Sequence, residues 1–191
     1  MDLGPGLISS IFDGIQRPLE LIRESGGDFI SRGIQASPLD ENKKWKFKPL
    51  KSTGDKVLGG DIIGTIKETP LIEHKIMLPP DIDGEITQIQ DGEFTIKETV
   101  AVIKTDKGIK NITMSQRWPV RISRPVKEKL VPDEPLTTGQ RVIDTFFPIA
   151  KGGTACIPGP FGAGKTVTMH EVAKWSDAQI IVYVACGERG N

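Results

Sequence analysis

The sequence has little cysteine, no excess of either charge and no long apolar run. Of its 191 residues two are cysteines. Both, Cys156 and Cys186, lie in apolar stretches toward the C-terminus. Two are too few for a disulfide framework, and neither has metal-ligand spacing. They are expected to be reduced, buried strand residues. Lys plus Arg and Asp plus Glu each count 25, a formal net charge of zero. A sequence-independent nucleic-acid binder needs surplus positive charge to displace counterions, and this total supplies none. The apolar run IIVYVAC is far too short to cross a bilayer. The opening MDLGPGLISS has no basic region leading into an apolar stretch, so no secretory signal is expected. What remains is a soluble cytoplasmic chain long enough for one or two domains.

Along the chain the patterning changes twice. Over residues 1–39, Leu7, Ile8, Ile11 and Phe12 have the spacing of one or two helical turns. Pro18 is placed to open a short helix through LELIRE, which Gly26 and Gly27 end. This is expected to be a connecting segment. Residues 40–125 hold short, β-branched, often alternating runs separated by Asp-Gly, Gly-Gly and Pro-Pro. At an offset of 37 residues, GDKVLGGDIIGTIKE lies over DGEFTIKETVAVIKT, pairing Val57 with Phe94 and Ile66-Lys67 with Ile103-Lys104. Such a repeat predicts a small barrel or sandwich of two similar halves. The pattern resembles biotinyl and lipoyl carrier domains, but the expected tip, at Thr69 and Pro70, has no Met-Lys pair, so carrier function is not expected. His74 and Met77 read as ordinary strand positions, because no second ligand accompanies them.

From residue 126 to residue 191 the chain predicts the first βαβ unit of a P-loop domain, making the whole a mixed α+β chain. A helix is expected near Gly139 to Phe146, then a strand at TACIP, a glycine loop, a helix from Lys165 to Trp175, and a buried strand at QIIVYVAC. The loop matches G-x-x-x-x-G-K-[ST] at Gly159, Gly164, Lys165 and Thr166. Glycines let successive backbone N–H groups converge on phosphate oxygens. A helix opening at the lysine adds a favourable potential for anions. Lys165 offers a charge to the β- and γ-phosphates, and the Thr166 hydroxyl is a hard oxygen suited to Mg²⁺. CGERGN follows the second strand, at the edge where open α/β sheets bind ligands. Glu188 there could polarise a water, and Arg189 could stabilise developing charge.

Together GPFGAGKT, PLTTGQRVIDTFFPIAKGG, QRWPVR, IFDGIQRPL and CGERGN resemble the catalytic A subunit of V/A-type rotary ATPases. The similarity covers essentially the whole chain, and residues 40–125 resemble that family's β-rich bulge insert. The resemblance implies that Gly159, Pro160, Phe161, Gly162, Ala163, Gly164, Lys165, Thr166 and Val167 bind the phosphates of ATP or ADP, with Thr166 on Mg²⁺. It implies that Glu188 activates the hydrolytic water, with Arg189 beside the γ-phosphate. It further implies ATP synthesis or hydrolysis coupled to proton or sodium transport. The expected setting is a hetero-hexameric ring with a non-catalytic B subunit, central and peripheral stalks, and membrane association only through the complex, on its cytoplasmic face. The sequence is similar to an internal segment of that protein, without the N-terminal barrel, the strand bearing the Walker B aspartate, the adenine pocket or the C-terminal domain. The segment alone is therefore expected to be inactive. Two rival readings are a β-rich docking module for stalk subunits and another hexameric P-loop motor.

Overall fold

A computed structural model describes residues 1–126 and 128–188, which form two compact units, Met1–Pro125 and Val126–Asn191. The first unit is nearly all β. Strand β1 (Asp2–Leu3) leads to helix α1 (Leu19–Gly26). Pro18, with φ −65°, caps the helix, and the N–H of Gly27 closes it onto the Arg23 carbonyl. This is the expected proline start and glycine stop. The helical turns expected around Leu7 to Phe12 do not form, and Phe12 instead bridges to Pro18. There the Asp13 N–H donates to the Arg17 carbonyl at 3.0 Å and the Leu19 N–H to the Ile11 carbonyl at 2.9 Å, so these backbone groups are paired without a helix.

Eight strands follow: β2 (Trp45–Pro49), β3 (Lys56–Val57), β4 (Ile62–Lys67), β5 (Glu73–Met77), β6 (Gly84–Ile89), β7 (Gly92–Phe94), β8 (Ala101–Thr105) and β9 (Gly108–Ile112). They build two antiparallel four-stranded sheets, in the orders β5-β4-β2-β7 and β9-β8-β6-β3. These orders make the weak sequence repeat structural. Strands β2 to β5 correspond to β6 to β9, and each half lends its second, shortest strand to the other half's sheet. Phe47 lies opposite Ile66 in one sheet and Ile86 opposite Ile103 in the other, so on β6 the pairing is displaced by two residues from the 37-residue offset. All four side chains are buried, inside one core with Trp45, Val57, Ile63, Ile76, Leu78, Val100 and Ile112. Each such burial contributes on the order of 1.5–3 kcal/mol.

The central strand β2 was not expected from the sequence, although WKFKP alternates buried Trp45 and Phe47 with exposed Lys46 and Lys48. Its lysines have the look of a polar loop, but they are the solvent face of a period-2 strand. Two ties between the N-terminal segment and the rest of this unit stand out. Strand β1 pairs with β10 (Gln116–Arg117). The Glu68 carboxylate, almost wholly buried, accepts the Gly6 N–H at 2.6 Å and meets His74 Nδ1 at 2.7 Å.

In the second unit, β11 (Pro135–Leu136) pairs with β12 (Ile149–Ala150) around helix α2 (Arg141–Phe146), and α3 spans Lys165–Trp175. The helix expected after the glycine loop has these same bounds. Its flanking segments differ from expectation: among the described residues neither 154–158 nor 179–186 joins a ladder. Cys156 and Cys186, expected to be buried, are exposed. So are Ile180, Ile181, Val182, Tyr183 and Val184. An apolar run specifies how a strand would be covered, while its hydrogen bonds and covering layers must come from distant chain.

Candidate phosphate-binding site

The stretch read as a phosphate cradle, residues 159–166, is a glycine loop running into the start of α3. Gly164, with φ 80°, is the left-handed N-cap of α3, a conformation costing other residues roughly 1–2 kcal/mol. Gly159 is needed for a different reason. A Cβ there would stand 2.9 Å from the Ala163 Cβ, so the loop closes on itself only without that atom. The Ala163 N–H donates to the Pro160 carbonyl at 3.3 Å. The first helical hydrogen bond of α3 runs from the Thr168 N–H to the Gly164 carbonyl, 2.9 Å. The N–H groups of the preceding turn therefore have no acceptor within the helix, and no acidic side chain occupies that turn. Free N–H groups and the positive dipole end together favour an anion here.

Lys165 begins the helix and turns back over the loop. Its ammonium donates to the Gly159 carbonyl at 2.6 Å and the Pro160 carbonyl at 2.8 Å. An ammonium has three protons, so two brace the loop and one has no acceptor among the described residues. Phe161, at the tip, is 99% exposed, and Val167 is exposed as well. The two threonines of the first turn differ. Thr168 donates its hydroxyl to the Gly164 carbonyl at 3.0 Å, whereas the exposed Thr166 hydroxyl has no partner among the described residues. Thr166 is thus the hydroxyl available to an incoming hard cation. Among the described residues no group of three His, Cys, Asp or Glu side chains could hold a metal by itself.

The far end of α3 is braced. The Asp177 N–H donates to the Thr137 carbonyl at 3.0 Å, and the Lys151 ammonium pairs with Asp177 at 3.1 Å and Glu134 at 3.7 Å. Asp177, then Glu134, holds the Lys151 pKa above its usual value. Nearby, Asp144 accepts from the Thr138 hydroxyl at 2.7 Å, the Thr138 N–H at 2.9 Å and the Gly139 N–H at 3.1 Å. Those bonds, led by the Thr138 hydroxyl, lower the Asp144 pKa.

Glu188 makes a contact that no spacing pattern foretells. It accepts from the Tyr183 hydroxyl at 3.4 Å, and that hydroxyl lies 3.2 Å from His170 Nε2 on α3. Partial desolvation of the exposed phenol, then the Glu188 charge, raises the Tyr183 pKa. One signal was available: Tyr183 is the only tyrosine of the chain, set in an otherwise aliphatic run before CGERG. Arg189, the other residue singled out there, lies outside the described residues.

Comparison with known proteins bears on both units. Residues 36–121 match the ATP synthase alpha/beta subunit barrel-sandwich domain, and residues 139–191 match the ATP synthase alpha/beta family nucleotide-binding domain. The chain belongs to the ATP synthase alpha/beta family. Over its whole length it is 62% identical to the A subunit of the A-type ATP synthase of Thermococcus sibiricus, of which it covers 33%. It is 61% identical, again over its whole length, to the V-type ATP synthase alpha chain of Thermoanaerobacter sp. strain X514, covering 32% of that protein. The identity is also 61% to the A subunit of the A-type ATP synthase of Methanopyrus kandleri, of which 33% is covered. The chain thus spans about a third of the length of the curated relatives it matches. Its architecture is the barrel-sandwich domain followed by the start of the nucleotide-binding domain. Among the described residues no helix is long and apolar enough to cross a membrane.

Proposed function

We propose that this chain is part of the catalytic subunit of a V/A-type rotary ATPase and that residues 159–167 hold the phosphates of ATP or ADP. The observation carrying this reading is Lys165 braced on the Gly159 and Pro160 carbonyls beside the unpaired N–H groups of α3. In this reading residues 1–39 connect, residues 40–125 form the bulge domain, and residues 126–191 begin the nucleotide-binding domain.

The chemistry is in-line phosphoryl transfer. A water oxygen bonds to the γ-phosphorus as the bond to the bridging β–γ oxygen breaks, giving ADP and phosphate. Glu188 orients the water and takes its proton. Lys165 and the backbone amides hold the phosphate charge, and Arg189 adds to it as charge redistributes. The free Thr166 hydroxyl would hold Mg²⁺, which supplies neutralisation of the β- and γ-oxygens when bound. The complete enzyme couples this reaction to proton or sodium movement across a membrane, in a hexameric ring with B subunits and with central and peripheral stalks on the cytoplasmic face. An arginine of a neighbouring subunit completes the site.

The test is thermal unfolding of the 191-residue chain with and without Mg-ATP. A rise in melting temperature that disappears in Lys165→Ala supports the reading, and no rise at any concentration counts against it. Steady-state phosphate release from the chain alone is expected to be negligible. A second reading, a β-rich docking module, is favoured by one observation: among the described residues every buried hydrophobic side chain lies in the first unit. Cooperative unfolding of residues 40–125 alone, with no nucleotide effect on the full chain, would favour it.

A further inference from the structure

We propose that Tyr183 is a positioning residue for Glu188, its hydroxyl set between the His170 imidazole and the Glu188 carboxylate so that the carboxylate is oriented for reaction. The inference rests on the role given to Glu188 above. Glu188 sits in a loop after a segment without ladder partners among the described residues, so its backbone alone does not fix where the carboxylate points. Tyr183, in that same segment, is tied to α3 through His170. Its ring lies 5.2 Å from the His170 ring, at 58°, and its hydroxyl is 3.2 Å from His170 Nε2 and 3.4 Å from Glu188 Oε2.

A phenol can accept from an imidazole N–H while donating to a carboxylate, so one hydroxyl serves both neighbours. His170 stands in the second turn of α3, whose first residue is Lys165. One continuous set of contacts therefore joins the helix bearing the cradle lysine to the loop bearing Glu188. The distance of 3.4 Å is at the long end of hydrogen bonding. Catalytic contacts are often long before substrate arrives and tighten in the reacting complex. Desolvation is the first cause of the raised Tyr183 pKa, and the neighbouring Glu188 carboxylate, which opposes a phenolate, raises it further. A residue present only to pack would need the ring and not the hydroxyl, and Tyr183→Phe separates these two roles.

The kinetic test uses the assembled rotary ATPase carrying this sequence in its catalytic subunit. Tyr183→Phe should lower kcat about tenfold and leave KM for ATP and the melting temperature unchanged. An unchanged kcat, or a fall in kcat accompanied by a raised KM and lost stability, would overturn the proposal. The contact itself is read separately in the 191-residue chain, where the single tyrosine makes phenolate absorbance unambiguous. Glu188→Gln should lower the phenol's ionisation midpoint, and an unmoved midpoint would overturn the proposal whatever the kinetics. Full turnover in Glu188→Gln would remove the role of Glu188, and the positioning role with it. The phenol titration would then show whether the contact exists without that role.

Discussion

The ammonium of Lys165 reaches back across its own loop to the carbonyl of Gly159, 2.6 Å away. The first and last parts of the cradle are thereby joined, and the third proton of the ammonium has no acceptor among the described residues. Lys165→Ala should therefore remove anion binding while leaving the resting chain almost as stable. At ATP a hundredfold above its dissociation constant, bound ligand stabilises by about 2.7 kcal/mol. Paired melts of wild type and variant, with and without Mg-ATP, should show that increment only in wild type.

Gly164→Ala should damage the same site by another route. With φ 80° at the N-cap, an alanine costs roughly 1–2 kcal/mol or forces the start of α3 to move. Weakened ATP binding is expected even though Lys165 is intact, and Gly164→Asn should be milder because asparagine tolerates this conformation better. Calorimetric titration of both variants checks the order.

In the first unit Phe47→Ala should be among the most costly substitutions. Phe47 is fully buried, and its ring meets Phe94 edge-on at 6.4 Å. Truncation should lose about 3–5 kcal/mol by urea denaturation, against less than about 0.5 kcal/mol for the neighbouring exposed Lys46→Ala. Equal effects would mean that the two-sheet core is misplaced.

Asp144 makes the second unit sensitive to acid. Hydrogen bonds from the Thr138 hydroxyl and N–H and from the Gly139 N–H lower its folded pKa below the ordinary value of 3.8. For a depressed carboxylate the stabilisation is fully present above the unfolded pKa. It is lost as pH falls through the folded pKa. Hydrogen exchange at the Thr138 and Gly139 amides should quicken below pH 3.8 beyond the intrinsic trend. Asp144→Asn should abolish that pH step.

How much could be read in advance depended on the range of the interactions. The helix from Lys165 to Trp175, the Pro18 helix start and the cradle spacing were legible, because each is set by residues within a turn or two of one another. Strand β2 was not, since Lys46 and Lys48 mask a period that matters only once Trp45 and Phe47 meet a core. The link from Glu188 through Tyr183 to His170 was equally hidden, because no spacing rule joins a helix turn to a later loop. The apolar run before Cys186 carried a different lesson. It marks what a buried strand would look like, yet among the described residues no ladder forms there and the cysteine is exposed.

By itself the amino-acid order determined the local geometry: where glycine must turn left, where a lysine opens a helix, which stretches alternate and which two stretches repeat. Only the tertiary structure decided that β3 and β7 trade sheets, that Glu68 anchors Gly6, and that Lys165 braces its own loop. Backbone preference acts between neighbours in sequence, whereas ladder partners, buried carboxylates and bent-back side chains are chosen by whatever the folded chain brings within hydrogen-bonding distance.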